Sequence, residues 1–183
     1  MNSHIDVGIP WEPGQQLGLA INRFMAKVDD WALILDWDVG LVNVHWYDLC
    51  QRTIDTVGHS AGLITCMTNR IGCPLQRDTT APCSDIMDEH RMHALRAQRD
   101  RAGVVDDITN QSRWKLSGFF YLTHREVWDK IGGAPPNKFL GFDNWYHDRV
   151  REAGYRVLIM RDLYVYHGYR RQWKLPEQNG GTR

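Results

Sequence analysis

Two aspartates, Asp36 and Asp38, stand directly after the apolar run Trp31 to Leu35 (WALIL). In extended chain an i, i+2 spacing puts both side chains on one face. Two carboxylates that close repel each other unless a cation or a proton neutralises them. A divalent hard cation such as Mg²⁺ or Mn²⁺, completed by water and substrate phosphates, suits that arrangement. A polar turn after a strand accounts for the same residues without any chemistry. Four cysteines, Cys50, Cys66, Cys73 and Cys83, lack the tight C-x-x-C spacing of most zinc sites. Buried reduced thiols are therefore expected, ahead of a disulfide or a zinc site shared with His90 or His93.

The elements that must position the carboxylates follow from pattern. His4 to Pro10 reads as a short strand ended by the proline. From Leu17 to Val28 the apolar residues recur at steps of three and four, which predicts an amphipathic helix. Trp31 to Leu35 is a buried strand, Trp46 to Val57 a helix, and Leu63 to Met67 a strand. The stretch from Thr68 to Ser112 carries little signal apart from helical composition between Asp85 and Arg101. Gly118 to Leu122 reads as a strand, and Thr123 with Glu126 as a capping box opening a helix that stops at Gly132. A helix over Asp143 to Ala153 follows, then two strands, Tyr155 to Met160 and Leu163 to His167, separated by Arg161 and Asp162. Strands alternating with helices predict an α/β sandwich on a largely parallel sheet. Ligands collect outside the carboxyl ends of such strands. Trp11-Glu12, the aspartate pair and His167 all fall at such ends.

Composition bounds the function. The 183 residues predict one domain, and 43% hydrophobic content supports a packed core rather than disorder. With 22 basic against 22 acidic residues, the basic footprint of nucleic-acid binding is missing. No apolar run reaches the roughly 18–20 residues that span a bilayer, and the opening MNSHIDVGIP lacks the pattern of a signal peptide. The expectation is a cytoplasmic domain with no nucleic-acid partner and no membrane segment.

The segment LGLAINRFMAKVDDWALILDWDVGLV is similar to the part of family-2-type glycosyltransferases in which an Asn-led helix precedes the strand carrying a D-x-D motif. Farther on, SGFFYLTHREVWDKIGG and FLGFDNWYHDRVREAGYRVLIMRDLYVYH resemble the second half of that family. There a Gly-Gly leads to an acidic motif opening a helix, then to GYRV and a strand ending in His. TNRIGCPLQ and DNWYH also resemble small phage-type members. The likeness runs collinearly from Ile9 to His167. It implies a GT-A-like (Rossmann-like) three-layer sandwich over residues 1–169 with a mostly parallel sheet; the polar, Gly-rich composition of 170–183 separately predicts a mobile tail.

The resemblance also implies roles. Asp36 and Asp38 would form the D-x-D pair, Asp38 as the more direct metal ligand and Asp36 nearer the ribose or a metal-bound water. His167 would complete the metal site, a set that suits Mn²⁺ somewhat better than Mg²⁺. Asp143 falls where the family places its catalytic base, although helix capping explains the same residue type. Ile9, Pro10 and Trp11 would dock the nucleoside, with Asn22 near the nucleotide. Arg170 or Arg171 could close over the diphosphate. Trp37 stays open between core packing and a platform beside the sugar. The activity implied is metal-dependent, inverting transfer of a sugar from a nucleotide-diphospho-sugar, with UDP as the expected nucleotide, to an acceptor hydroxyl.

Two departures from the family stand out. The strand–helix–strand unit expected between the first strand and the Asn-led helix is absent, which shortens the nucleotide-binding half. Nucleoside recognition would then fall to Trp11, Glu12 or the segment from Arg70 to Gln76. Phe142 replaces the acidic residue that usually precedes the catalytic Asp. A non-catalytic nucleotide- or glycan-binding module and a metal-dependent phosphohydrolase are the competing readings.

Overall fold

The computed structural model describes residues 3–14, 16–111, 113–137 and 140–168. The elements run β1 (Ile5–Gly8), α1 (Leu17–Met25), β2 (Trp31–Leu35), β3 (Val39–Gly40), α2 (Trp46–Val57) and β4 (Ala61–Thr68). They continue with α3 (Met87–Asp100), β5 (Val105–Asp107), β6 (Phe120–His124), α4 (Arg125–Lys130), α5 (Phe142–Glu152) and β7 (Arg156–His167). A 3₁₀ turn, Gly58–Ser60, links α2 to β4.

The chain is α/β, and its strands form one seven-stranded sheet in the order β1-β2-β6-β4-β7-β3, with β5 also paired to β7. β1, β2, β4 and β7 share one direction, while β6 runs against both β2 and β4. β3 and β5 are antiparallel to β7. The largely parallel sheet expected from strand–helix alternation is seen in part: four strands share one direction within a mixed sheet. The long connection between β4 and β6 passes through α3 and β5 and delivers the chain back to the end where β4 finishes.

Helices cover both faces. Alternation along β2 sends Ala32 and Ile34 to the face packed by α1, α3, α4 and α5, through Ile21, Met25, Ala94, Val127, Tyr146 and Val150. Trp31, Leu33 and Leu35 go to the other face, under Leu49, Cys50 and Ile54 of α2. Every residue of β2 and β4 is buried, as continuous apolar runs covered on two sides must be. α1 sits close against the chain after α4. A Cβ on Gly18 would lie 2.0 Å from the Pro135 carbonyl oxygen, so only glycine admits that approach.

Three local expectations change. The two last strands are one strand: its partners on β4 pass from Met160 at Cys66 to Tyr164 at Met67, leaving Arg161 to Leu163 as a bulge. Polarity at Arg161 and Asp162 marks that bulge, since Asp162 accepts the Gly103 N–H and Arg161 bonds Asp106 and the Leu75 carbonyl. Thr123 caps no helix; it lies inside β6, where its hydroxyl bonds the Gly62 carbonyl and the Tyr146 hydroxyl. Cys50, Cys66 and Cys73 are buried free thiols, but Cys83 is exposed. His90 uses both ring nitrogens, on Tyr164 and the Ser84 carbonyl, and His93 faces Asp78, so neither joins a cysteine. Among the described residues no helix is long and apolar enough to cross a membrane.

Candidate metal centre and active site

The shared direction of β2, β4 and β7 brings their carboxyl ends to one edge of the sheet. Asp36 leaves β2 there, Asn69 and Arg70 leave β4, and His167 ends β7. β3 then folds the chain back across this edge. Val39 pairs with His167, and the Gly168 N–H donates to the Asp38 carbonyl at 2.9 Å. The backbone thus holds the D-x-D segment against the end of β7.

Asp36, Asp38 and His167 offer one ligand atom each, all within 4.8 Å of one another. His167 Nε2 lies 3.2 Å from Asp38 Oδ1 and 3.9 Å from Asp36 Oδ2. The other ring nitrogen, Nδ1, meets the Arg70 carbonyl at 2.9 Å. A carbonyl only accepts, so Nδ1 carries the proton. Burial lowers the His167 pKa, against the charge of Asp38 and the hydrogen bonds to the Arg70 backbone and the Asp38 carboxylate. The ring's Nε2 faces the carboxylates of Asp38 and Asp36, and an imidazole whose far N–H is held by a carbonyl is the usual form of a metal ligand. The donor set of two carboxylates and one imidazole could hold a divalent ion.

Desolvation pushes the Asp36 carboxyl up to about 6, and the charges of Asp143 and Asp38 add to the rise. Protons would therefore compete with a metal for this group at mildly acidic pH. Mn²⁺ affinity should be flat above that value and fall by up to about tenfold per pH unit below it. Calorimetric titration with Mn²⁺ at pH values on either side of that point checks this expectation.

Asp143 lies in the first turn of α5, after Gly141, whose φ of 70° places the left-handed residue at the helix boundary. The N-cap position is Gly141, so capping does not account for Asp143. Its carboxyl points at Gly118, where an added Cβ would lie 2.6 Å from Oδ1. Burial raises the Asp143 pKa, partly offset by the N–H groups of Gly118 and of Asp143 itself. The next residue, Phe119, accepts the Asp36 N–H at 3.1 Å and stacks its ring on His167 at 5.2 Å. Two consecutive residues before β6 thus tie the candidate base to the candidate metal ligands. Sequence patterning missed this hub, because Gly118-Phe119 reads simply as the start of a strand.

Asn69 was also missed. Its Oδ1 accepts the His167 N–H at 2.8 Å, while its Nδ2 is buried with no hydrogen-bond partner. The polar break after an all-buried strand is the only sequence signal for it.

The remaining expected residues separate. Ile9, Pro10 and Trp11 follow β1, which parallels β2 with Gly8 opposite Ile34, so they leave the sheet at the same end as Asp36. Trp11 and Trp37 are exposed, and Trp37 is no core residue. Glu12 is paired with Arg23. The Asn22 amide is spent on the Ala134 backbone, donating to its carbonyl at 2.8 Å and accepting its N–H at 2.9 Å. Arg70 bonds Asp85 and the Cys83 carbonyl, and buried Gln76 bonds Thr65 and the Ser117 backbone. Arg170, Arg171 and the tail lie outside the described residues. No protein-family model matches the chain, and no curated protein matches it.

Proposed function

We propose that the chain is a metal-dependent, inverting glycosyltransferase with a GT-A-type domain, moving a sugar from a nucleotide-diphospho-sugar, UDP being the expected carrier, to an acceptor hydroxyl. The observation that carries this reading is the convergence of Asp36, Asp38 and His167 at the carboxyl ends of the strands, with Asp143 held beside them through Gly118 and Phe119. Held by those three ligands, a divalent cation supplies positive charge against the departing diphosphate. The His167 ring is fixed for that task by Arg70 and Phe119. Asp143 accepts the acceptor's hydroxyl proton as that oxygen bonds the anomeric carbon and the bond to the diphosphate breaks. Burial raises its pKa, which strengthens it as a base. The unpartnered Asn69 amide is a donor for a phosphate oxygen, and exposed Trp11 and Trp37 offer flat apolar faces to base or sugar.

A second reading, a module that binds nucleotide without turnover, is favoured by two observations. β1 is an edge strand, and no strand or helix lies between Gly8 and Leu17 among the described residues. Phe142 is buried and stacked on Tyr146, so no acidic residue precedes Asp143. A panel of nucleotide-sugars with Mn²⁺ separates the readings. Release of nucleoside diphosphate that stops with chelator is the expected result. Binding without release supports the module, and inorganic phosphate from simple esters points to a phosphohydrolase.

A further inference from the structure

A second group of ligand-type side chains sits at the opposite end of the sheet. In the β2–β6 ladder Leu35 pairs with Phe120, beside the first cluster, and Trp31 pairs with His124 at the far end. That separates the two ends by roughly 13 Å along the strands. There His59, His124 and Glu126 bring one ligand atom each to within 4.8 Å of one another. His59 Nδ1 is 3.0 Å from Glu126 Oε2, and its Nε2 is 3.4 Å from Asp30 Oδ1.

The residue that needs an explanation is His124. It is fully buried, and among the described residues its ring nitrogens have no hydrogen-bond partner of normal geometry beyond a marginal contact with the His59 backbone. A buried imidazole without partners is costly, and such groups in folded proteins are nearly always satisfied. The contacts of His59 with Glu126 and Asp30 account for His59 and leave His124 as it is. An ion bound to His124 accounts for both.

We propose that His59, His124 and Glu126 form a second metal site, with Asp30 as a fourth or outer ligand, selective for a borderline transition ion of the Zn²⁺ or Co²⁺ type. Two imidazoles and a carboxylate are the donors such ions take, whereas the carboxylate-rich cluster at the other end suits a harder ion. His59 and His124 are stacked, with centroids 4.4 Å apart. Binding of one ion by both rings therefore requires the partly exposed His59 ring, on its three-residue 3₁₀ turn, to turn edge-on. The ligands come from the turn before β4, the end of β6, the start of α4 and the turn before β2. A metal there staples three separate stretches of chain, around Asp30, His59 and His124–Glu126, which is a structural role.

The test uses the full chain carrying Asp36→Asn and Asp38→Asn, so that the first cluster does not contribute. Co²⁺ is titrated while visible absorption and thermal unfolding are followed. The site predicts intense ligand-field bands that saturate at one equivalent, are bleached by Zn²⁺, and accompany a higher Tm. Adding His59→Asn and Glu126→Gln, both on the surface and checked by circular dichroism, should weaken Co²⁺ binding by about a hundredfold or more. A spectrum that stays that of the aquo ion overturns the proposal. So does binding that survives those two substitutions.

Discussion

Asp38→Ala is expected to abolish metal-dependent turnover and to weaken Mn²⁺ binding by about a hundredfold or more, with the fold intact. The carboxylate lies 3.2 Å from His167 Nε2 and is the nearest acidic partner of that ring. The segment's position does not depend on it, because Gly168 is held by the Asp38 backbone carbonyl, which alanine retains. Loss of metal affinity with an unchanged melting transition in the metal-free protein is the predicted pair of results. Calorimetry with Mn²⁺ and thermal unfolding followed by circular dichroism measure both. Wild-type affinity in this variant would remove Asp38 from the ligand set.

Asp143→Asn should behave differently. It should leave nucleotide and metal binding in place and lower the rate of sugar transfer by about 10²–10⁴-fold, the range supplied by a positioned base. Asparagine keeps an acceptor oxygen for the Gly118 N–H, so the start of α5 is undisturbed. It also removes one of the two carboxylates that raise the Asp36 pKa. The onset of proton competition for the metal should therefore move to lower pH in this variant. Steady-state transfer kinetics, with Mn²⁺ titrations across pH, separate this from a merely structural effect. Unchanged turnover would sink the assignment of Asp143 as base.

Much of the frame was legible because it rests on local pattern. β2, α2, β4 and α5 fall within a few residues of where periodicity and turn residues place them, since each buries a face that the sequence must make apolar. The Asp36–Asp38 spacing pointed to a cation before any partner was known, and His167 joins the pair in space. Long-range choices were less legible. Nothing local to Phe120–His124 says that this strand runs against its neighbours. Nor does a polar Arg161-Asp162 pair distinguish a bulge from a break. Asn22 and Glu12 are of the right type for ligand contacts but are consumed by Ala134 and Arg23, partners far off in sequence or masked by the turn between. The link from Asp143 through Gly118 and Phe119 to Asp36 and His167 exists only once β6 lies between β2 and β4. His59 lies far in sequence from His124 and Glu126 and meets them for the same reason.

The most direct test of the central claim is thermal unfolding of the wild-type protein with a panel of nucleoside diphosphates and nucleotide-sugars, with and without Mn²⁺. Anchoring of a diphosphate on a metal held by Asp36, Asp38 and His167 predicts a rise in Tm with nucleotide and Mn²⁺ together that exceeds the sum of the separate shifts. Binding that stabilises only the folded state at about a hundred times Kd should contribute about 2.7 kcal/mol. The excess should vanish in Asp38→Ala. A nucleotide shift of the same size without metal, or no shift with any member of the panel, would contradict the account.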